Sequence, residues 1–126
     1  MVVNKLYIRL DVDNAGDSIE LALLKADYRK AQNTHHKIQE GINLILDKIN
    51  RLDSTALLMR GCDDILFSIE KDNYDFNYLE KIKSEFKSTT GFSLSIGVGS
   101  SIPECMYNLR VAKVSGKDTV IENSNS

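Results

Sequence analysis

Residues 55–69 read Thr55-Ala56-Leu57-Leu58-Met59-Arg60-Gly61-Cys62-Asp63-Asp64-Ile65-Leu66-Phe67-Ser68-Ile69. Two short apolar runs, Thr55 to Met59 and Ile65 to Ile69, flank the polar segment Arg60 to Asp64. Strand-length runs joined by a glycine-containing turn predict a β-hairpin. Its tip carries two adjacent aspartates, Asp63 and Asp64. Adjacent aspartates are also ordinary turn formers. Their meaning depends on what the rest of the chain brings to them.

Upstream, Val2 to Leu10 (VVNKLYIRL) is rich in aliphatic and β-branched residues and reads as a strand. It gives way to Asp11-Val12-Asp13-Asn14-Ala15-Gly16, the composition of a strand-to-helix corner. Ile19, Ala22, Leu23 and Ala26 then outline one helix face. Ile38, Ile42, Ile45, Ile49 and Leu52 outline a second, with Gln32-Asn33-Thr34 as the expected break between the two. Gly41 inside the second pattern costs about 1 kcal/mol relative to alanine. Downstream of the hairpin, Phe76, Leu79, Ile82 and Phe86 predict a third helix that stops at Gly91. Phe92 to Val98 (FSLSIGV) alternates as a strand does. Pro103 suits the first turn of a helix, and Gly116 the position just past its end. Thr119 to Ile121 forms a last edge strand in this reading, and residues 122–126 (ENSNS) have nothing to bury and are expected to be a disordered tail.

The expected order is therefore β-α-α-β-β-α-β-α-β, an α+β fold over residues 1–121 with one sheet and helices packed on it. A chain of 126 residues, 42% hydrophobic and 27% charged, builds one such domain without staples. The net charge of −2 argues against a protein that coats duplex nucleic acid. No apolar run approaches the roughly 20 residues of a membrane span. The N-terminus enters its first strand with no signal-peptide pattern, so the expected compartment is the cytoplasm. Cys62 and Cys105 have no zinc-site spacing and are expected to be reduced thiols. His35 and His36, adjacent on a helix, point in different directions and read as surface residues. Tyr74 and Tyr78 read as core or rim packing.

Two acidic clusters remain, Asp11 with Asp13 and Asp63 with Asp64. If the first strand lies beside the hairpin, Asp11 and Asp63 meet. Close carboxylates repel, and a divalent cation relieves that cost. Hard oxygen ligands suit magnesium or manganese. Magnesium uses one or two carboxylates together with substrate phosphates, so the pattern describes a nucleotide site. Asn14-Ala15-Gly16 adds a helix N-terminus, where free N–H groups favour phosphate. No GxxxxGK[ST] loop occurs.

Gly61-Cys62-Asp63-Asp64 resembles the GGDD or GGDEF hairpin of palm-domain nucleotide cyclases and polymerases. Asp11-Val12-Asp13 is similar to the metal-binding end of their first strand, and Phe92 to Val98 to their late strand. Leu109 to Lys117 (LRVAKVSGK) resembles the final A-K-x-x-G-K/R helix end of diguanylate cyclases. The match runs in order along nearly the whole chain. In size and in its GCDD variant, the chain is most similar to the minimal CRISPR polymerases, stand-alone relatives of the palm in the large type III CRISPR subunit.

The resemblance implies an α+β, ferredoxin-like palm fold of the GGDEF/nucleotide cyclase type, an antiparallel sheet with helices, and metal-dependent nucleotidyl transfer. It implies metal held by Asp11, Asp63 and the Val12 carbonyl, with Asp64 as a second-metal ligand or an orienting group. Asp63 and Asp64 would be the catalytic acids. Asn14, Ala15, Gly16 and Asp17 would hold the triphosphate. Lys113 and Lys117 would reach phosphates, unless they are simply helix C-terminal cations. Diguanylate cyclases carry D-x-D-x-F-K-x-x-N-D, with the Asn and Asp reading guanine. Here Gly16 replaces the Lys, Ile19 the Asn and Glu20 the Asp, which favours ATP over GTP. The implied product is a cyclic di- or oligonucleotide, cyclic di-AMP first among them, made with release of pyrophosphate as a signal in anti-phage defence. A chain this small would hold two triphosphates as a homodimer with its sites at the interface. A GTP-acting palm enzyme, cyclohydrolase-like or diguanylate cyclase-like, and a non-catalytic nucleotide sensor are the competing readings.

Overall fold

The computed structural model describes residues 4–122. Its strands are β1 (Lys5–Val12), β2 (Ala56–Arg60), β3 (Asp64–Glu70), β4 (Leu94–Gly99) and β5 (Val120–Ile121). Its α-helices are α1 (Ala15–Leu24), α2 (Tyr28–Asn50), α3 (Phe76–Thr90) and α4 (Ile102–Val114), with a single 3-10 turn at Lys71–Asn73. The sheet order is β2-β3-β1-β4-β5, so the first strand is central. β1 is antiparallel to both neighbours, and β2 is antiparallel to β3. The sheet is not antiparallel throughout, because β5 runs parallel to β4. The helix α4 crosses over between those two strands and returns the chain to the same end of the sheet, the connection a parallel pair requires.

Alternation along β1 sorts its side chains to two faces. Ile8, Leu10 and Val12 join Ile65, Phe67, Ile69, Leu94, Ile96 and Val98 on one face, all buried. The stripe Ile38, Ile42, Ile45 and Ile49 of α2 covers that face together with Leu79, Ile82 and Phe86 of α3. Burying each such side chain favours folding by roughly 1.5–3 kcal/mol. Gly41 has a packing reason, since a Cβ there would stand 2.7 Å from Phe86 and Thr90 side-chain atoms.

The opposite face of the sheet is met by α4, and glycine sets the distance. A Cβ at Gly97 would lie 2.3 Å from Leu109 N, and one at Gly99 would lie 2.5 Å from Cys105 N. Both encounters are with helix backbone, which cannot swing aside. The close contact also buries Cys105, whose thiol donates to Gly97 O at 3.3 Å. Burial pushes that thiol up to about 11.

Several boundaries differ from the sequence reading. The first strand, expected to end at Leu10, continues through Asp11 and Val12, which are paired to β4 opposite Ser95 and Leu94. Of the expected strand, residues 1–3 lie outside the described residues. The first helix buries Ala15 and Ala22, whereas Leu23 is exposed and Ala26 lies beyond the helix at φ 56. The break between helices falls at residues 25–27, and Gln32-Asn33-Thr34 is helical. Asp27 sets that start, because its side chain accepts from Lys30 N. Glu122, read as tail, accepts a hydrogen bond from Tyr74 Oη at 2.6 Å, while residues 123–126 lie outside the described residues. Tyr74 and Tyr78 pack against the core, and His35 and His36 are exposed, both as expected. No described helix is long and apolar enough to cross a membrane.

The glycine contact makes a paired test. Gly97→Ala should cost about 3 kcal/mol in urea unfolding, through overpacking against α4 backbone. Gly16→Ala, where a Cβ meets nothing within 4 Å, should leave stability unchanged or slightly raised.

Candidate active site

The β1–β3 register sets Asp11 directly opposite Asp64. One step further, Val12 N donates to Asp63 O at 2.9 Å, which ties the hairpin tip to the end of β1. The first strand and the GCDD tip therefore meet, and Asp11, Asp63 and Asp64 share one end of the sheet. Gly61 is needed at this tip. A Cβ there would fall 1.9 Å from Asp64 Oδ1, so the carboxylate lies against a bare Cα. Cys62 is exposed and has no positive φ, which is why the turn accepts a side chain at that position.

Asp13 has a different surrounding from Asp11. It is buried at 1% exposure and its carboxylate accepts four hydrogen bonds. Ser93 Oγ and Ser95 Oγ donate at 2.7 Å each, Lys113 Nζ at 2.7 Å and Asp118 N at 3.1 Å. Burial alone would raise its pKa, but these donors outweigh burial and hold it below the ordinary 3.8. Asp13 is thus a buried tie between β1, β4, α4 and the loop before β5.

Through that tie Lys113 reaches the site. Its ammonium stands 3.3 Å from Asp11 Oδ2 and 3.5 Å from Val12 O. Asp11 has its pKa raised, first by burial and then by the charges of Asp63 and Asp64, with Lys113 opposing. Asp64 is held by Arg9, whose guanidinium donates to Oδ2 at 2.5 Å. Asn14 caps α1 from the left-handed region, at φ 64, without a side-chain capping bond to the helix. Its Oδ1 instead accepts from Lys117 Nζ at 2.5 Å. Helix geometry leaves the first N–H groups of α1, at Ala15, Gly16 and Asp17, without intrahelical acceptors. Gly16 and Asp17 are exposed there.

All the expected site residues therefore gather at one end of the sheet. Among the described residues, no three acidic, histidine or cysteine side chains stand close enough to hold a metal ion by themselves. The reason is visible in the pairing, since Asp11 is turned to Lys113 and Asp64 to Arg9. The donor set still fits a hard divalent ion. The Asp11 carboxylate and the Val12 carbonyl already converge on one cationic group, the Lys113 ammonium. Two carboxylates and a carbonyl, completed by phosphates and water, are what magnesium accepts. Sequence reasoning missed Arg9, Ser93, Ser95 and Asp118. Strand alternation signals the first three, since Arg9 shares a face with Asp11, and Ser93 and Ser95 share one with each other.

A central β1 flanked by an acid-bearing hairpin, beside the open start of a helix, is the arrangement of a palm domain. Residues 7–123 match the model of the minimal CRISPR polymerase domain, and the chain belongs to that family. Solved structures agree on the fold. A chain of the Csm1–Csm4 cassette in complex with one ATP superposes with a TM-score of 0.65 at 18% identity, over 96% of this chain and 21% of that one. Diguanylate cyclase SiaD from Pseudomonas aeruginosa, solved with its activator SiaC, gives 0.59 at 13% identity, over 93% and 49%. A microbial GGDEF domain solved with cyclic di-GMP gives 0.60 at 14% identity, over 94% and 76%. The chain thus spans about a fifth of the first of these and about half of the second. No curated protein matches it in sequence.

Asp11 in β1 and Asp13 just past its end should respond oppositely to neutralisation. Asp13 has a lowered folded pKa, so its contribution is complete above 3.8 and is lost as pH falls through the folded value. Asp13→Asn should cost about 3 kcal/mol at pH 7 in urea unfolding, since it leaves Lys113 with a weakened partner. Asp11 has a raised pKa, so its ionisation weakens the metal-free fold. Asp11→Asn in a chelator should therefore stabilise the fold against urea at pH 7. That gain should shrink as pH falls through the raised value.

Proposed function

We propose that the chain joins nucleoside triphosphates, ATP first, into a cyclic di- or oligonucleotide such as cyclic di-AMP, with release of pyrophosphate. The observation that carries this reading is the β1–β3 register, which brings Asp11 to the Asp63–Asp64 tip beside the open N-terminus of α1. Family membership supports it, as does the absence of the guanine-reading Asn and Asp at Ile19 and Glu20. That the Csm1–Csm4 cassette was solved with ATP favours adenine further.

In this reading Asp11, Asp63 and the Val12 carbonyl hold Mg2+ or Mn2+, and Asp64 stands beside them on Arg9. When bound, such an ion acidifies a ribose hydroxyl and neutralises charge on the departing pyrophosphate. The triphosphate lies at the start of α1, where the N–H groups of Ala15, Gly16 and Asp17 face an anion favourably. Asn14 sets the direction of that helix, and its bond to Lys117 places an ammonium beside the same groups. Lys113, anchored on Asp13, balances the acids from below and lies within reach of an incoming phosphate. The attacking hydroxyl forms the new P–O bond at the α-phosphate, and the bond to pyrophosphate breaks.

One chain of this size presents one triphosphate, and a homodimer with facing sites presents two. Leu21, Leu23, Leu24 and Tyr28 leave an apolar surface on the helix pair that begins at the site, which a second copy would cover. The family's link to CRISPR systems suits a product that acts as a signal in anti-phage defence.

Mass spectrometry of products from the purified chain given the four nucleoside triphosphates and Mg2+ tests this. Pyrophosphate and a cyclic adenylate are expected. Asp11→Ala and Asp63→Ala should each lower turnover at least about 100-fold, the loss of several kcal/mol of charge stabilisation. Full turnover by Asp63→Ala would sink the assignment.

A further inference from the structure

We propose that Arg9 is a positioning residue that holds Asp64 out of the ion site, so that the GCDD tip offers one carboxylate, Asp63, rather than two. This rests on the reading of Asp11 and Asp63 as ion ligands.

Arg9 precedes Asp11 by two residues and so shares its face of the sheet. In the β1–β3 register Asp11 faces Asp64 and Arg9 faces Leu66, which makes Arg9 the diagonal neighbour of Asp64. The guanidinium donates through Nη2 to Asp64 Oδ2 at 2.5 Å and through Nη1 to Met106 Sδ of α4 at 3.0 Å. Both side chains are mostly shielded, at 26% and 23% exposure. Arg9 Nε is buried without an acceptor. An arginine that leaves a buried donor unmet is costly in its own right, and only its charged partner offsets that cost.

The second oxygen of Asp64 packs against the turn. Oδ1 lies against the Gly61 Cα, at a place where a Cβ would come within 1.9 Å. The guanidinium holds one oxygen and the turn backbone flanks the other, so the Asp64 carboxylate is seated between Arg9 and Gly61. Among the described residues, the ion pairs around the site are Arg9–Asp64, Lys113–Asp11 and Lys113–Asp13, and none of them involves Asp63. Among the described residues, Asp63 enters this network through its carbonyl, which accepts from Val12 N. The two neighbours at the tip therefore have separate work. Asp64 fastens the tip to β1 through Arg9, and the fastened tip presents Asp63 to Asp11. An arginine keeps its charge at any working pH, so a metal ion cannot claim Asp64 by displacing a proton and must instead displace a guanidinium.

Titration of the full chain with Mn2+ alone, followed by electron paramagnetic resonance, tests this without turnover. Asp64→Asn keeps an oxygen for Arg9 and should leave Mn2+ affinity within about threefold, the scale of one partly screened charge. Asp11→Asn and Asp63→Asn should each weaken it at least about tenfold. Arg9→Met should release Asp64 and tighten Mn2+ by about threefold or more, and Arg9→Met with Asp64→Asn should lose that gain. Arg9→Lys, the variant to use if Arg9→Met does not fold, replaces the two-armed fork by a compact ammonium that can yield Asp64, and should tighten Mn2+ in the same direction as Arg9→Met. Loss of Mn2+ in Asp64→Asn equal to that in Asp63→Asn would make Asp64 a ligand and overturn the inference alone. Unchanged affinity in Arg9→Met would overturn it as well. Unchanged affinity in both Asp11→Asn and Asp63→Asn would instead remove the ion site itself.

Discussion

The carboxylate of Asp13 is the contact on which the rest of the site depends. A buried charge is unfavourable unless its lone pairs are met. Here they are met from three other parts of the chain: Ser93 and Ser95 at β4, Lys113 on α4, and the Asp118 N–H before β5. Each donor is brought into place by the one contact, and each then does something further. Lys113 held on Asp13 stands over Asp11 and Val12 O. The loop held by Asp118 N carries Lys117 to Asn14, the residue from which α1 starts. The same loop is fastened from outside by Lys83 and Lys87 of α3, which bond the Asp118 side chain. Without the tie, the end of α4 and the start of α1 would have no common reference.

That tie works only because α4 lies close to the sheet. A lysine has a fixed reach, and Lys113 must span from helix to strand end. Gly97 and Gly99 allow the α4 backbone to approach within distances that any side chain would forbid. The strand β4 with the two residues before it reads FSLSIGVG, and its small residues divide the work. The serines hold Asp13, and the glycines seat the helix that delivers Lys113. Packing and chemistry are thus coupled in one short strand, so substitutions in β4 act on the site without touching any ligand.

Much of this was legible in the sequence, and the parts that were not share a cause. The hairpin, the stripe from Ile38 to Ile49 and the third helix followed from local periodicity, because each is a surface repeating along one element. The helix break was misplaced because Gln32-Asn33-Thr34 looks like a loop, yet an exposed stretch of α2 tolerates polar residues as well as a loop does. The capping bond from Asp27 decided the matter. Asp13 looked like a partner of Asp11 in one acidic cluster. Its burial and its four donors come from residues 80 or more positions away. Arg9 was overlooked for the same reason. Alternation shows that Arg9 and Asp11 share a face, but only the register with β3 shows which acid Arg9 meets. Local pattern reports which way a side chain points, and long-range pairing decides what it points at.

The acids that remain after Asp13 is accounted for are held in a deliberate imbalance. Asp11, Asp63 and Asp64 crowd one end of the sheet, and Asp11 is left harder to ionise than a free aspartate. A fold selected only for stability would relieve this by replacing an acid. The chain instead compensates two of the three, with Lys113 on Asp11 and Arg9 on Asp64, and leaves the Asp63 side chain out of these pairs. Stored repulsion of this kind favours any cation that can be shared, which is the property an ion-dependent site needs. The separation of roles follows from the choice of counter-ion. Lys113 offers a compact ammonium that also serves Asp13, while Arg9 offers a planar fork wedged between Asp64 and Met106. A lysine shared between acids can yield one of them to a metal ion, whereas a wedged guanidinium keeps what it holds.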